Sequence, residues 1–380
     1  MDLELTAAQR RVRDTAREIA MGTLLPGYAA RERAGRIDPA VRRELGGLGL
    51  IAPELPVELG GRGTDRVTTG LVCEEIGRGD VNVAYLQVVG SLVGQILVAN
   101  APDLAREWVP RITAGEEIVG IGLTEPHGGS DAGMPRMTAV RDAGSWRLEG
   151  VKSLSFATDA AAVVVFARTG GDIRGKGISA FLVPLDADGV TREPYPDVGT
   201  TAIGRGAVHL DGVRVPAENL IGAEGAAFGQ VMQGFDFSRA LIGLQCLGAA
   251  EQSVDETWSY VTKREAFDRP LSTRQGVAFP LAEHETYLAA ARLLCLETLW
   301  RKDTGRPHTA QAAMCKWWAP KAAHEAITAC LLLHGQYGYR RELPFDQRMR
   351  DVLGLQIGDG TAQIMKLVIA RQRVGRALAP

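Results

Sequence analysis

The order of secondary-structure patterns along this chain limits its fold more than any other feature. Apolar residues recur with helical spacing in residues 1–118 and again in residues 226–380, whereas residues 119–225 form short β-branched runs divided by Gly, Pro and Asp. Because no helical pattern separates these runs, βαβ crossovers and a Rossmann domain are disfavoured. The sequence therefore predicts an α+β protein with an N-terminal all-α domain, a middle antiparallel β-barrel or sandwich domain and a C-terminal four-helix bundle.

Local signals predict where individual helices begin and end. Thr6, followed three residues later by Gln9, predicts a capping box, and Asp38 before Pro39 predicts the start of a second helix. In the bundle we expect Pro320 to kink the third helix. The four predicted helices of the bundle span residues 226–262, 272–303, 308–336 and 345–378.

Charge, hydropathy and cysteine content argue against several classes of protein. With 43 basic and 45 acidic residues the net charge is -2, which gives no electrostatic reason to expect nucleic acid or an anionic membrane as partner. No run approaches about eighteen consecutive apolar residues, and the first residues lack a secretory signal, so we expect a cytoplasmic protein with no membrane partner. The five cysteines are scattered, without C-x-x-C pairs or histidines at metal-ligand spacing, which indicates buried thiols and no metal site.

The first motif with chemical content is GIGLTEPHGGSDAG, residues 120–133. Its paired glycines let backbone N–H groups turn toward a ligand, and its proline fixes the chain before them. Through T-E-P-x-x-G-S-D the segment resembles the flavin loop of acyl-CoA dehydrogenases. The resemblance implies that Thr124 hydrogen-bonds the flavin ring of FAD and that Ser130 contacts the CoA part of an acyl-CoA substrate.

Further segments follow in the order and spacing of the same family. FDFSRA, residues 235–240, resembles the entry to the first bundle helix, which implies that Asp236, Ser238 and Arg239 contact CoA. The resemblance covers nearly the whole chain. It therefore implies the fold predicted above from the patterns.

Two segments resemble parts of the family's FAD site. KREAFDRP implies that Arg264 and Phe267, with Gln275, hold the pyrophosphate and adenine side of FAD; an arginine suits this task because its planar fork can grip a phosphate. HGQYGYRRELPFDQRMRD resembles the turn that reaches the FAD of a neighbouring subunit, with Gly335 and Gly338 as close-approach positions. The resemblance thus implies a homotetramer.

The last signature, DGTAQIMKLVIAR, implies the catalytic base. The resemblance implies that Thr361 and Gln363 contact FAD, that Gly360 contacts substrate, and that the residue before the Gly-Thr pair removes the α proton of the thioester. That residue is Asp359 here, where most relatives have glutamate, and the family's alternative base position holds Ser238, which is not a carboxylate. We expect burial to raise the pKa of Asp359 above the ~3.9 of a free aspartate, as a base near neutrality requires.

The aspartate also narrows the resemblance. Together with MCKWWAPK, residues 314–321, it resembles the cyclohexane-carboxyl-CoA dehydrogenase subgroup. A ring substrate carries its α hydrogen on a branched carbon, and a shorter base leaves room for that extra substituent. The resemblance implies an alicyclic or α-branched acyl-CoA as substrate and an electron-transferring flavoprotein as electron acceptor.

One departure keeps other functions open. Many relatives carry Trp-Ile-Thr against the flavin, whereas KSLSFA places Leu154 and Phe156 at the Trp and Thr positions. The two side chains that lie against the flavin in those relatives are therefore replaced here. An acyl-CoA oxidase, a flavin monooxygenase, a dehydrogenase of carrier-protein thioesters and a non-catalytic flavoprotein remain alternatives.

Overall fold

The N-terminal part of the chain is helical. The computed structural model describes residues 4–171 and 174–380. A short π-helical segment joins the first two helices, Ala20–Leu24. The helices are α1 Ala7–Ile19, α2 Leu25–Ala34, α3 Pro39–Gly47, α4 Arg66–Gly79, α5 Val81–Asn100 and α6 Pro102–Thr113.

Both predicted helix starts in this part are confirmed. The Thr6 hydroxyl accepts a hydrogen bond from the Gln9 backbone N–H at 3.1 Å, and the Gln9 side chain accepts one from the Thr6 N–H at 3.0 Å. The Asp38 carboxylate accepts from the Ala40 N–H at 2.7 Å, with Pro39 in the first turn of α3. Such caps each stabilise a helix end by ~1 kcal/mol because they satisfy backbone donors that have no partner within the helix.

Helix α5 forms the centre of the N-terminal domain. It is the one helix among the described residues that is long and apolar enough to cross a membrane, with a mean hydropathy of 1.6, although polar residues interrupt its apolar run. Of that apolar window, 83% is buried inside the protein. It packs against α4, α6 and the bundle. Its apolar composition is therefore explained by its place in a protein core.

The middle part is a twisted sheet in which most neighbours are antiparallel. The strands follow the order β6-β7-β3-β2-β4-β5-β8, and β1 pairs with β4. The pairs β1/β4 and β2/β4 are parallel, which the expectation of a purely antiparallel domain did not include. The strands are β1 Val119–Gly122, β2 Thr138–Asp142, β3 Ser145–Leu154, β4 Ala162–Arg168, β5 Ile178–Pro184, β6 Val190–Pro194, β7 Gly206–Pro216 and β8 Leu220–Ile221.

The C-terminal part is a helical bundle that begins with a hairpin-linked pair of helices. Helix α9 runs through Pro320 without interruption, and the kink predicted there stays a prediction. The elements are α7 Ala227–Lys263, β9 Glu265–Ala266, β10 Arg269–Pro270, α8 Gln275–Asp303, α9 Thr309–Leu333, α10 Phe345–Leu355 and α11 Ala362–Val374.

The prediction of one helix over residues 345–378 is wrong. The segment forms two helices, α10 and α11, separated by a turn at residues 356–361. Asp359 has a φ of 55° and Gly360 a φ of 107°, and neither value is compatible with a right-handed helix. Thr361 then caps the start of α11, with its hydroxyl 3.4 Å from the Ile364 N–H. The glycines around Asp359 were the signal for this interruption.

One buried carboxylate connects all three parts of the chain. Asp351 of α10 accepts hydrogen bonds from the Tyr28 hydroxyl at 2.6 Å and from the Asn82 amide at 2.9 Å, both in the N-terminal part. It also accepts from the backbone N–H of Thr200, which lies between β6 and β7. The apolar core is continuous around this point and extends through the sheet and the bundle.

Candidate active site

The turn between α10 and α11 presents Asp359. Asp359 is half-buried and lies in the left-handed region, which few residues other than glycine adopt. Gly360 follows with a φ of 107°, where a side chain would be strained, and a Cβ there would lie 2.5 Å from the Met365 Cε. The backbone conformation that follows Asp359 therefore requires the glycine at position 360.

Two buried cations lie near Asp359. Lys316 of α9 is 1% exposed, and its ammonium donates to the backbone oxygens of Leu355 at 2.6 Å and Gly360 at 3.3 Å. Arg239 of α7 is also buried and pairs with Asp236 at 2.9 Å. Burial raises the pKa of Asp359, and the charges of Lys316 and Arg239 partly oppose that increase. The expected rise is therefore present, and the cations limit it.

The residues predicted to contact CoA lie beside this base. Asp236 accepts from the Thr309 hydroxyl at 2.5 Å as well as from Arg239. Ser238 is completely buried and donates to the Phe235 carbonyl at 3.2 Å. In the described part of the chain the Arg239 Nε has no hydrogen-bond partner. The structure therefore brings these three residues together with Asp359, with Ser238 turned to the protein interior and one buried donor of Arg239 left for a ligand or a water molecule.

An ion pair that the sequence reasoning missed holds the loop of residues 123–137. Glu125 accepts from the Lys152 ammonium at 2.7 Å and from the backbone N–H groups of Arg136 and Met137 at 2.8 and 3.1 Å. Burial alone would raise the pKa of Glu125, but Lys152 and the backbone donors keep it below its usual value. The loop is therefore anchored through Glu125. No local sequence pattern indicates this ion pair, because Glu125 and Lys152 are 27 positions apart.

The anchored loop leaves its predicted ligand residues at the surface. Thr124 and Ser130 are both exposed. The Thr124 carbonyl accepts from the Ser153 N–H at 2.9 Å, which ties the loop to the end of β3. Side chains of both residues are therefore available to a bound molecule.

An aromatic pair lies between the sheet and the base. Phe156, just after β3, is 1% exposed and has a φ of 61°, and its ring stacks on Tyr85 of α5 with centroids 6.2 Å apart. Leu154 is buried as well. Burial raises the pKa of Tyr85, and the negative charge of Asp359 raises it further. The Tyr85 hydroxyl is therefore close enough to Asp359 for the two groups to interact electrostatically. Sequence reasoning identified Leu154 and Phe156 but missed Tyr85, which carries no motif.

A second group of predicted residues lies at the other end of α7. A cavity of about 350 Å³ is lined by Tyr260, Lys263 and Arg264, together with Glu256 and Ser259. Phe267 follows with a φ of 52° and 90% of its surface exposed. Gln275, which opens α8, is exposed too. This end offers an accessible cation, an exposed aromatic ring and an open cavity.

The turn after α9 contributes to the same end. His334 stacks on Tyr260 with ring centroids 4.2 Å apart, which places the following turn beside the cavity. Gly335 has a φ of 58° and open space where a Cβ would be. At Gly338 a Cβ would lie 2.0 Å from the Leu331 carbonyl oxygen, so only glycine fits. Through the His334–Tyr260 contact, the turn with Gly335 and Gly338 lies near the C-terminal end of α7, which Arg264 follows.

The two groups of residues are far apart within one protomer. Helix α7 has 37 residues and is therefore ~55 Å long. Arg239, the residue of α7 beside Asp359, lies about a third of the way along the helix, and Arg264 follows the end of the helix, ~38 Å farther along the axis. Thr361 and Gln363 belong to the Asp359 end, with the Gln363 side chain exposed. The residues predicted to contact FAD are therefore divided between two distant regions of the folded protomer.

The charged functional groups near Asp359 among the described residues are carboxylates and cations, without a metal-binding cluster. Within the described ranges no group of three or more His, Cys, Asp or Glu side chains is arranged to hold a metal ion. The five cysteines are buried free thiols, as predicted.

Comparison with known proteins agrees with this arrangement. Family models for the N-terminal, middle and C-terminal domains of acyl-CoA dehydrogenase match residues 6–116, 120–213 and 225–373. The chain belongs to the acyl-CoA dehydrogenase family. Bovine (Bos taurus) mitochondrial short-chain specific acyl-CoA dehydrogenase is 35% identical over 372 residues, which cover 97% of this chain and 90% of the bovine protein.

Solved structures of the family share the fold. Butyryl-CoA dehydrogenase from Megasphaera elsdenii superposes with a TM-score of 0.95 at 28% identity, covering 98% of this chain and 100% of that chain. Glutaryl-CoA dehydrogenase from Mycobacterium smegmatis, solved in complex with FADH2, gives a TM-score of 0.92 at 28% identity and covers 98% and 96%. The predicted fold class is confirmed, and the chain is an enzyme of the acyl-CoA dehydrogenase type.

Proposed function

We propose that this enzyme dehydrogenates the bond between the α and β carbons of an alicyclic or α-branched acyl-CoA thioester, and that Asp359 removes the α proton. The observation that carries the proposal is Asp359 itself. It is a half-buried carboxylate with a raised pKa, and it occupies a strained turn that faces Arg239 and the Tyr85–Phe156 pair. Strained backbone and a shifted pKa at one residue are typical of catalytic groups.

The residues around Asp359 have separate roles in this proposal. The Asp359 carboxylate takes the proton from the α carbon, and the backbone N–H of the same residue donates to the thioester carbonyl, where negative charge develops as the proton leaves. Arg239 supplies a second buried positive charge next to the base. Leu154, Phe156 and Tyr85 exclude water from the acyl group.

The residues present fit FAD as the cofactor. Arg264 is exposed beside a cavity of about 350 Å³, and Gly128 and Gly129 have no heavy atom closer than 3.7 Å to a Cβ position, so a planar ligand can approach their backbone. When bound, FAD supplies the acceptor for the hydride that leaves the β carbon. We assign Thr124, Thr361 and Gln363 to one part of the cofactor and Arg264, Phe267, Gln275, Gly335 and Gly338 to the other.

The substrate class follows from the length of the base. Aspartate is one methylene shorter than the glutamate of most relatives, so the reacting carbon needs more room or a closer approach. A substituent on the α carbon occupies that room. The buried wall of Leu154, Phe156 and Tyr85 suits an apolar ring. Ser130, Asp236, Ser238, Arg239 and Gly360 remain our assignment for substrate contacts.

Anaerobic flavin bleaching with a panel of CoA esters tests the proposal. We expect cyclohexane- and cyclohexene-carboxyl-CoA to reduce the flavin faster than butyryl-, hexanoyl- or octanoyl-CoA. The reverse order would refute the substrate class, and no bleaching by any CoA ester would refute the reaction. A carrier-protein thioester that bleaches the flavin when its CoA ester does not would identify a different substrate carrier.

A second candidate function, an acyl-CoA oxidase or a flavin monooxygenase, is favoured by Leu154 and Phe156, which replace the usual Trp and Thr. Stoichiometric oxygen consumption with a bleaching substrate would identify it.

A dehydrogenase instead passes electrons to another protein, and we propose an electron-transferring flavoprotein as that acceptor. We further propose that the enzyme is cytoplasmic and works as a homotetramer.

A further inference from the structure

Lys316 is a buried cation to which no motif assigns a role. It lies in the middle of α9, its side chain is 1% exposed, and burying an ammonium group is costly unless its donors are satisfied. Two of its hydrogen bonds go to backbone oxygens, of Leu355 at 2.6 Å and of Gly360 at 3.3 Å. These oxygens lie on either side of Asp359. The ammonium therefore spans the turn that carries the proposed base.

The charge of Lys316 also acts on Asp359. After burial, which raises the pKa of Asp359, Lys316 is the largest influence in the opposite direction, followed by Arg239. Burial lowers the pKa of Lys316 itself to about 8, while Asp359 opposes that decrease. The ammonium is therefore still mostly protonated at neutral pH. Removing its charge leaves Asp359 with one cation instead of two.

We propose that Lys316 is a positioning residue for Asp359, which fixes the turn between α10 and α11 through two carbonyl oxygens and keeps the carboxylate ionised through its positive charge. This inference rests on the proposed function, because it assigns Lys316 a role through the proposed base. Other charged or titratable groups also face the pair from the packed elements. They are Arg239 with its partner Asp236 and Cys246, all on α7, and Tyr85 on α5.

Neutral variants of Lys316 distinguish an effect on the pKa of Asp359 from a general loss of folding stability. Lys316→Met removes the charge and the donors, and Lys316→Gln removes the charge but keeps an N–H donor. We expect both to move the acid limb of the flavin-reduction rate upward by at least one pH unit, so that the rate on that limb falls about tenfold or more at fixed pH and recovers in alkali. Lys321→Met is the matched control, because Lys321 lies on the same helix but is exposed and pairs with Glu325.

A second measurement does not depend on turnover. The infrared band of the protonated Asp359 carboxyl, identified by its loss in Asp359→Asn, gives the titration midpoint of that group in the FAD-loaded enzyme without substrate. We expect the midpoint to rise in both neutral Lys316 variants and to stay unchanged in Lys321→Met. The inference is overturned if the Lys316 variants titrate within a few tenths of a pH unit of the wild type, even if their rates fall.

The two proposals fail in different ways. If Asp359 is not the base, Asp359→Asn will bleach normally, but the infrared midpoint will still report on the effect of Lys316. If Lys316 only supports the fold, the variants will lower the melting temperature and the rate at every pH without moving either midpoint.

Discussion

Asp359 combines two opposing influences that together make an aspartate useful near neutral pH. Burial against the protein raises its pKa, while Lys316 and Arg239 stabilise its charge. Burial makes the carboxylate a stronger base, and the two cations limit how far its pKa rises. The left-handed backbone at Asp359 holds this carboxylate in place at an energetic cost of about 1–3 kcal/mol, which the surrounding contacts must offset.

Replacing the carboxylate by its amide tests this balance directly. We expect Asp359→Asn to slow anaerobic flavin reduction by ~10²- to 10⁴-fold, because general-base catalysis is lost while the backbone N–H remains. Rapid mixing with a saturating cyclic acyl-CoA measures this rate. Asp359→Glu keeps a carboxylate, so we expect partial activity and a shift toward unbranched substrates. An Asn variant that bleaches within a few-fold of the wild type would assign the base to another residue.

The motif residues stand out in the sequence, whereas the residues that contact them in the structure do not. Asp359 and Thr124 stand in segments whose residue types and spacing are specific. Lys316, Lys152 and Tyr85 act through contacts with residues 27 or more positions away, as the Lys152–Glu125 hydrogen bond illustrates. Such contacts depend on how helices and strands pack. No local pattern encodes them.

Among the helices and strands, the spacing of apolar residues predicted whether a segment is a helix or a strand better than it predicted where a helix is interrupted. The start of α10 was predicted correctly, but the apolar pattern continued past Leu355 and concealed the turn at residues 356–361. Glycines at 354, 358 and 360 weaken a helix by ~1 kcal/mol each, and together they allow the break that exposes the base. The parallel neighbours of β4 were equally unpredictable, because strand order is decided by tertiary packing.

The contact of α10 with α2 and α5 predicts how stability depends on pH. Burial raises the pKa of Asp351 to about 7, whereas an unfolded aspartate titrates near ~3.9. The folded protein therefore binds this proton more tightly than the unfolded chain does. The stabilising contribution is complete below the unfolded pKa and is lost as the pH rises toward 7. Glu251, whose pKa burial raises to about 7, acts in the same window.

We expect Asp351→Asn to remove the Asp351 part of this dependence. The free energy of unfolding of the variant, relative to the wild type, should increase by about 3 kcal/mol from pH 5 to pH 8. Asn82 can accept from the new amide after a flip of its side chain, since its Oδ1 has no partner among the described residues. Urea unfolding at several pH values measures the difference, and a difference that is constant with pH would contradict the assignment.

Taken as a whole, the molecule separates the base from the accessible cation that we assign to FAD. Along α7, the 25 residues from Arg239, which lies beside Asp359, to Arg264 span ~38 Å. Asp359 lies beside Arg239, while Arg264 and Gly338 lie near the C-terminal end of the helix. We therefore expect that the two groups reach one FAD molecule from different protomers. A neighbouring protomer that brings its Arg264 end to the Asp359 end of the first would complete the site.

Large apolar side chains support an interface at the Arg264 end. Phe267 is 90% exposed, Tyr339 89% and Leu332 69%. Phe267 follows Arg264 in the hairpin, and the other two lie at the end of α9 and in the turn after it; exposed apolar side chains in such a group are typical of a protein interface. We therefore expect a homotetramer that holds one FAD per protomer at subunit boundaries.

Light scattering combined with the flavin-to-protein ratio tests this assembly, and Arg264 provides the sharper variant. Arg264→Ala should purify with less FAD than the wild type, because a charge contact to the cofactor phosphate is lost across the subunit boundary. Arg269→Ala is the matched control, since Arg269 lies exposed in the adjacent hairpin. Dilution of the wild type below its assembly concentration should release flavin together with the subunits. A monomer that retains stoichiometric FAD, or an Arg264→Ala enzyme with full flavin and unchanged thermal stability, would show that each protomer binds its cofactor alone.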